Sequence, residues 1–241
     1  NQTEWSVEDF GKSVVAFPYV GLIIGLILAL LYGILSPFIS LVPLMLIIVV
    51  AEFLITGGLH ADGLMDTSDG LFSGRERERK LEIMKDSRIG SFGVVAFVFV
   101  TLLKWQLLTA IPTAEFIPMA LIMMPLMSRW SLVLSIRSYP YARKEGMGAA
   151  FANLAPKHVI TYNTISTFFM PIVILIIGAI FYTLLYGAYS IFSAADVGYV
   201  VGLGVLVYAT LGIFQINIVS MIITYIINRL LNRYIVKQLG G

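Results

Sequence analysis

Residues 14–35, VVAFPYVGLIIGLILALLYGIL, contain no charged side chain. At 1.5 Å per residue, a helix of that length covers the roughly 30 Å of a bilayer's hydrocarbon core. Backbone in lipid must satisfy its own hydrogen bonds, which leaves only helices and closed barrels. Barrel strands alternate apolar and polar residues over about 10 positions, and this run does not alternate. Similar runs cover residues 39–56, 92–111, 116–136 and 164–186. Only 12% of the chain is charged and its mean hydropathy is +0.90, against about 25% charged in soluble domains. The expected fold is therefore all-α: one integral membrane domain, residues 1–241, built as a polytopic helix bundle.

Charge gives the expected topology, because Lys and Arg concentrate in cytoplasmic loops. Residues 57–91 carry Arg75, Arg77, Arg79, Lys80, Lys85 and Arg88; residues 137–163 carry Arg137, Arg143, Lys144 and Lys157. The intervening connections SPFI, PTAEF and GAYSIFSAAD have no Lys or Arg. Both basic loops and the N-terminus are thus predicted to be cytoplasmic, with the two loops forming the active site. Residues 197–238 read as one long helix or two short ones. One helix keeps Arg229, Arg233 and Lys237 on the same side as the other basic residues, and favours about six spans. INRLLNRYIVK at its end reads as an interfacial amphipathic anchor. No signal peptide is expected ahead of the first span. The absence of cysteine excludes disulfides and thiolate metal sites, and a dispersed net charge of +2 gives no footprint for nucleic acid.

The chemistry concentrates in GLHADGLMDTSDGLFSG, residues 58–74. Asp62, Asp66 and Asp69 are spaced i, i+4, i+7, one face of a helix. Bare carboxylates on one face repel, and a divalent cation reverses that sign. Hard oxygen donors suit magnesium, manganese or calcium, and magnesium is often held by few carboxylates plus substrate phosphates. The three aspartates are assigned to Mg2+, with Glu52 as an extension of the cluster; a solvated acidic loop is the plain alternative. Gly63 and Gly70 would admit substrate closely. RERERK reads as an exposed, self-paired helix face. Arg75, Lys85 and Arg88 stand apart as cations for a diphosphate. Asp86 is a further ligand, a base, or the partner of Arg88. His60 is a general base or a structural hydrogen-bonding group. Arg129 snorkels to the interface or binds the diphosphate. Lys104 must face the bundle and meet a carboxylate or carbonyls. Arg143, Lys144 and Glu145, with Gly146 and Gly148, suggest a loop facing phosphate or nucleotide. His158 reads as an ordinary loop histidine.

The run GGLHADGLMDTSDGLFSG, followed by RKLEIMKDSRIGSFG, resembles the cobalamin synthase (adenosylcobinamide-GDP ribazoletransferase) family. FPYVGLIIG, SRW and YARKEGMGAAF add support. The resemblance implies a magnesium-dependent transferase of the prokaryotic cytoplasmic membrane, its active site facing the cytoplasm. Its substrates would be the corrinoid adenosylcobinamide-GDP and alpha-ribazole or its 5'-phosphate, with GMP released; membrane lipid surrounds it, and a homo-oligomer is left open. A lipid-synthesising enzyme like the CDP-alcohol phosphotransferases is the rival. A cation transporter is a weaker one, because the carboxylates cluster at one rim and not at mid-bilayer on several spans.

Overall fold

The computed structural model describes residues 7–143, 146–193 and 197–239. They form helices α1 (Val7–Ser13), α2 (Phe17–Leu35), α3 (Leu41–Ile55), α4 (Leu59–Phe72), α5 (Arg77–Ile83), α6 (Ser91–Thr109), α7 (Ile117–Ser138), α8 (Met147–Leu154), α9 (Val159–Ser193) and α10 (Val197–Leu239), with no strand among the described residues. The stretches Asp9–Leu35, Ser91–Thr109, Ala114–Ser138 and Val159–Gly178 are long and apolar enough to cross a membrane. α3 and α4 together make a further candidate span, bent by 89°. The all-α polytopic expectation holds. The expected sixth span falls in α10, outside that count, and α10 is a single continuous helix of 43 residues.

The bundle is organised around α2 and α7. Gly21 and Gly25, one turn apart on α2, bring the two backbones together. A Cβ on Gly21 would stand 2.5 Å from the Pro125 carbonyl oxygen, and one on Gly25 would stand 2.6 Å from the Ile122 Cα. Between membrane helices, where burial in water no longer drives association, such close approach supplies the packing energy. Leu28 and Tyr32 of α2 then bury against Leu44, Met45 and Ile48 of α3 and Leu121 of α7. Met123, Leu126, Met127, Trp130 and Leu134 of α7 form the adjacent cluster, and the Trp130 indole N–H donates to Thr164 Oγ1 at 3.0 Å.

Two features differ from the sequence reading. Residues 57–91, expected as a catalytic loop, are largely helical. α3 ends at Ile55, and Gly57 and Gly58 follow with φ of +61° and +72°, a region open to glycine at little cost; the chain turns there and continues as α4. α4, with four ionisable residues among its 14, turns 89° away from α3. The α10 terminus is also more than an interfacial anchor. Asn228 donates to the Ser131 carbonyl at 2.9 Å and to Ser135 Oγ at 2.7 Å. Asn232 donates to Ser135 Oγ at 3.0 Å, while Leu230, Leu231 and Tyr234 face outward. Its asparagines thus face α7, while Arg233 and Lys237 are exposed.

If the α2–α7 contact carries the fold, Gly25→Ala will lower the thermal unfolding midpoint of the detergent-solubilised protein, at a cost of about 1–3 kcal/mol for overpacking. Gly33→Ala, on the same helix with nothing within 4 Å of its added Cβ, will leave the midpoint unchanged or raise it.

Candidate active site

A cavity of about 810 Å³ opens between α2, α4, α7, α8 and the end of α10. One part of its wall is apolar, with Val20, Ile24, Leu132, Ile136 and Val236 among the contributors. The polar side chains gather elsewhere on the wall: His60, Asp66 and Thr67 from α4, Arg129 from α7, and Arg143 from the turn after it. A largely apolar pocket with a few convergent polar groups is the ordinary form of a small-molecule site.

Two ionic groupings meet the cavity. The first draws on four helices. Arg129 is only 6% exposed, and no hydrogen bond or ion pair holds its guanidinium among the described residues. Glu52 of α3 is buried and forms a salt bridge with Lys104 of α6; the partner expected for Lys104 is therefore a carboxylate. His60 lies within electrostatic reach of Arg129, Glu52 and Lys104. Desolvation, then the Arg129 charge, holds the His60 imidazole below its ordinary value, with Glu52 opposing. His60 borders open cavity space and is exposed on that side.

The second grouping is acidic. Desolvation raises the Asp66 carboxyl above its ordinary value, and repulsion from Asp62 and Asp69 adds to it. Arg143 opposes the shift while donating to the Leu81 carbonyl at 3.3 Å. Asp69 has a different task from its neighbours. Its two oxygens accept the backbone N–H groups of Gly90 and Gly93, each at 2.8 Å. Those are N-terminal donors of α6 that lack partners within the helix, and a carboxylate there also meets the positive end of the helix dipole. A Cβ on Gly90 or Gly93 would come within 2.3 or 2.5 Å of that carboxylate, so the glycines of GSFG make room for it.

The expected single cluster is therefore divided. Among the described residues no three His, Asp or Glu side chains stand close enough to hold a metal ion together. Glu52 turns to Lys104 and Asp69 to α6, which leaves Asp62, exposed, and Asp66, on the cavity wall. This pair still fits a hard cation that takes its remaining oxygens from phosphate and water. Gly63 lines the cavity with nothing within 4 Å of an added Cβ, whereas Gly70 packs against Met84 and the Lys80 carbonyl of α5. Asp86 accepts from Arg88 at 2.6 Å on the surface, and Arg88 holds its carboxyl down to about 2. Arg75, Lys85 and Arg88 do not line the cavity.

In α5, Arg79 pairs with Glu82 and Arg77 with Glu78; the exposed, self-paired face expected of RERERK holds in part, since Glu82 lies beyond that run and Lys80 within it is buried. Arg77 also donates to the Leu239 and Ala142 carbonyls, and the Lys80 ammonium reaches Gln238 Oε1 at 2.7 Å. α5 thus ties the end of α10 to the cavity rim. Lys144 and Glu145 lie outside the described residues. Sequence reasoning missed Tyr139, Tyr141, Ser135 and Asn232 in the wall. Its available signal was the pair of amides at i, i+4, Asn228 and Asn232, in an apolar helix.

Fold and site together define a helical integral membrane protein whose cavity joins an apolar volume to a buried arginine and a carboxylate repelled by its neighbours. The chain matches the Cobalamin-5-phosphate synthase family over residues 2–241 and belongs to it. It is 40% identical over 196 residues to the adenosylcobinamide-GDP ribazoletransferase of Acetivibrio thermocellus, covering 81% of this chain and 77% of that protein. Its identity to the enzyme of the same name from Fusobacterium nucleatum is 43% over 190 residues, 72% and 68% of the two chains. With that of Desulforamulus reducens it is 48% over 140 residues, 58% and 55%. No solved structure matches. Membership in this family does not favour the transporter or lipid-acceptor readings.

The divided roles of the aspartates separate in stability. Asp69→Ala will destabilise the protein by about 0.5–2 kcal/mol, the scale of a lost helix cap. Asp66→Asn will leave the unfolding midpoint within error of the parent or raise it, since it removes repulsion. Thermal unfolding in detergent reads both.

Proposed function

We propose that this chain joins alpha-ribazole, or its 5'-phosphate, to adenosylcobinamide-GDP and releases GMP. The reaction forms a bond from a free ribose hydroxyl oxygen of the ribazole, one that the 5'-phosphate leaves unesterified, to the phosphorus nearer the corrinoid. The bond from that phosphorus to the bridging oxygen breaks, and its electron pair leaves with GMP. The observation that carries this reading is Arg129: a buried guanidinium without a hydrogen-bond or ion-pair partner among the described residues, facing a cavity that also holds Asp66 and Arg143. A guanidinium left so is suited to a doubly charged diphosphate.

Displacement at a diphosphate needs positioning and charge neutralisation more than covalent help. Arg129 and Arg143 bind the bridging and leaving-group oxygens and hold the phosphorus in line. His60, kept neutral by desolvation and neighbouring cations, takes the proton of the attacking hydroxyl. Asp62 and Asp66 would hold magnesium, which when bound would neutralise phosphate charge. Repulsion from Asp62 and Asp69 bears on Asp66, and such an ion would relieve it. Asp69 acts through α6, fixing the face of α4 that carries these groups. The apolar wall receives the ring system of a substrate. The basic residues of 57–91 and 137–163 set the cavity mouth toward the cytoplasm of a prokaryotic cell, where nucleotide substrates are supplied.

The purified protein, incubated with adenosylcobinamide-GDP, alpha-ribazole or its 5'-phosphate, and magnesium, will yield a cobamide product and GMP by mass spectrometry. Chelation with EDTA will stop turnover and added magnesium will restore it. Asp66→Asn and Arg129→Gln will each lower turnover about 100-fold or more, the scale of one lost electrostatic contact at a reacting centre. A folded parent protein that forms no product from either acceptor would overturn the reading.

A further inference from the structure

Glu52 has two cations to choose from. It forms a salt bridge with Lys104, yet Arg129 lies close enough to feel its charge. All three sit on helices that face lipid elsewhere, where a charge without a partner is expensive. Arg129 would gain most from a carboxylate, because it is buried and has none. We infer that Lys104 is a positioning residue: by occupying Glu52 it keeps Arg129 free for the diphosphate.

The inference rests on the reading of Arg129 as the anion site. Its physical content is a competition. With Lys104 in place, the Glu52 carboxylate is satisfied on the α6 side, and the guanidinium stays open to the cavity. With Lys104 replaced by an uncharged side chain, Glu52 is left buried without a counter-charge, and a bare buried carboxylate is strongly disfavoured. The nearest remedy is Arg129. Arg129 would then be masked by an internal anion before any substrate arrived. A pair that only held α3 to α6 would behave differently: loss of either member would cost the same.

The test uses the full chain in detergent, with inorganic pyrophosphate in magnesium buffer as the probe. Binding is read as protection against thermal unfolding, and donor KM is measured separately from kcat. Lys104→Met should weaken pyrophosphate and raise donor KM about tenfold, the effect of one neighbouring charge on a partly buried group, with a smaller change in kcat. Glu52→Gln should bind pyrophosphate at least as well as the parent. The double variant Lys104→Met with Glu52→Gln should recover the binding that Lys104→Met loses. Equal weakening by Glu52→Gln and Lys104→Met, or a double variant as weak as Lys104→Met, would overturn the inference. Should Lys104→Met fail to accumulate, the other two variants decide, since weakened binding in either one contradicts it. A protein that forms no cobamide but keeps this order of pyrophosphate affinities fails the functional reading alone. One that forms product with the order broken fails this inference alone.

Discussion

Glu52, Lys104 and Arg129 stand on helices otherwise apolar enough to lie in a bilayer, and a charge turned to lipid there costs several kcal/mol. The helices must rotate until those side chains face inward. α3, α6 and α7 each carry one of them, so one requirement fixes three helix orientations at once. The close α2–α7 contact through Gly21 and Gly25 supplies the rigid wall against which Arg129 is held. What the membrane makes expensive thereby becomes the inner lining of the site.

α4 connects this interior to the rim. It is fixed at one end by the turn at Gly57 and Gly58 and toward the other by the Asp69 carboxylate on the backbone N–H groups of Gly90 and Gly93. Between these two fixings lie His60, Asp62 and Asp66. The three aspartates share one helical face, but only one of them meets the start of α6, and that one uses both its oxygens there. Geometry thus separates a structural carboxylate from two that remain free to serve a cation.

The bundle was legible because long apolar runs admit almost no other fold. The importance of residues 58–74 was legible because carboxylates crowded at helical spacing need an explanation. Individual roles were less so. Glu52 and Asp69 are acidic residues near a presumed metal, and nothing local distinguishes them from Asp66; the distinction comes from Lys104, 52 residues away, and Gly90, 21 residues away. Arg88 is matched to Asp86 two residues earlier, a pairing weighed from sequence but undecidable there against a substrate. Gly70 and Gly63 share a sequence context, yet one meets α5 and the other open space. The inward asparagines of α10 were read as interfacial because their i, i+4 polarity was matched to water and not to the serines of α7.

These contacts also bear on why a reaction between nucleotide-like substrates would use a membrane protein. In a partly dehydrated cavity, opposite charges attract more strongly than they do in water. Fixed donors placed there need little rearrangement as charge develops. A soluble protein must build such a low-dielectric wall from its own core. Here the spanning helices provide it, and Arg129 needs no more than an inward orientation and a competitor for Glu52. On this view the bilayer contributes to binding by making Arg129 strongly attractive to anions, while Asp62 and Asp66 stay at the rim, within reach of water.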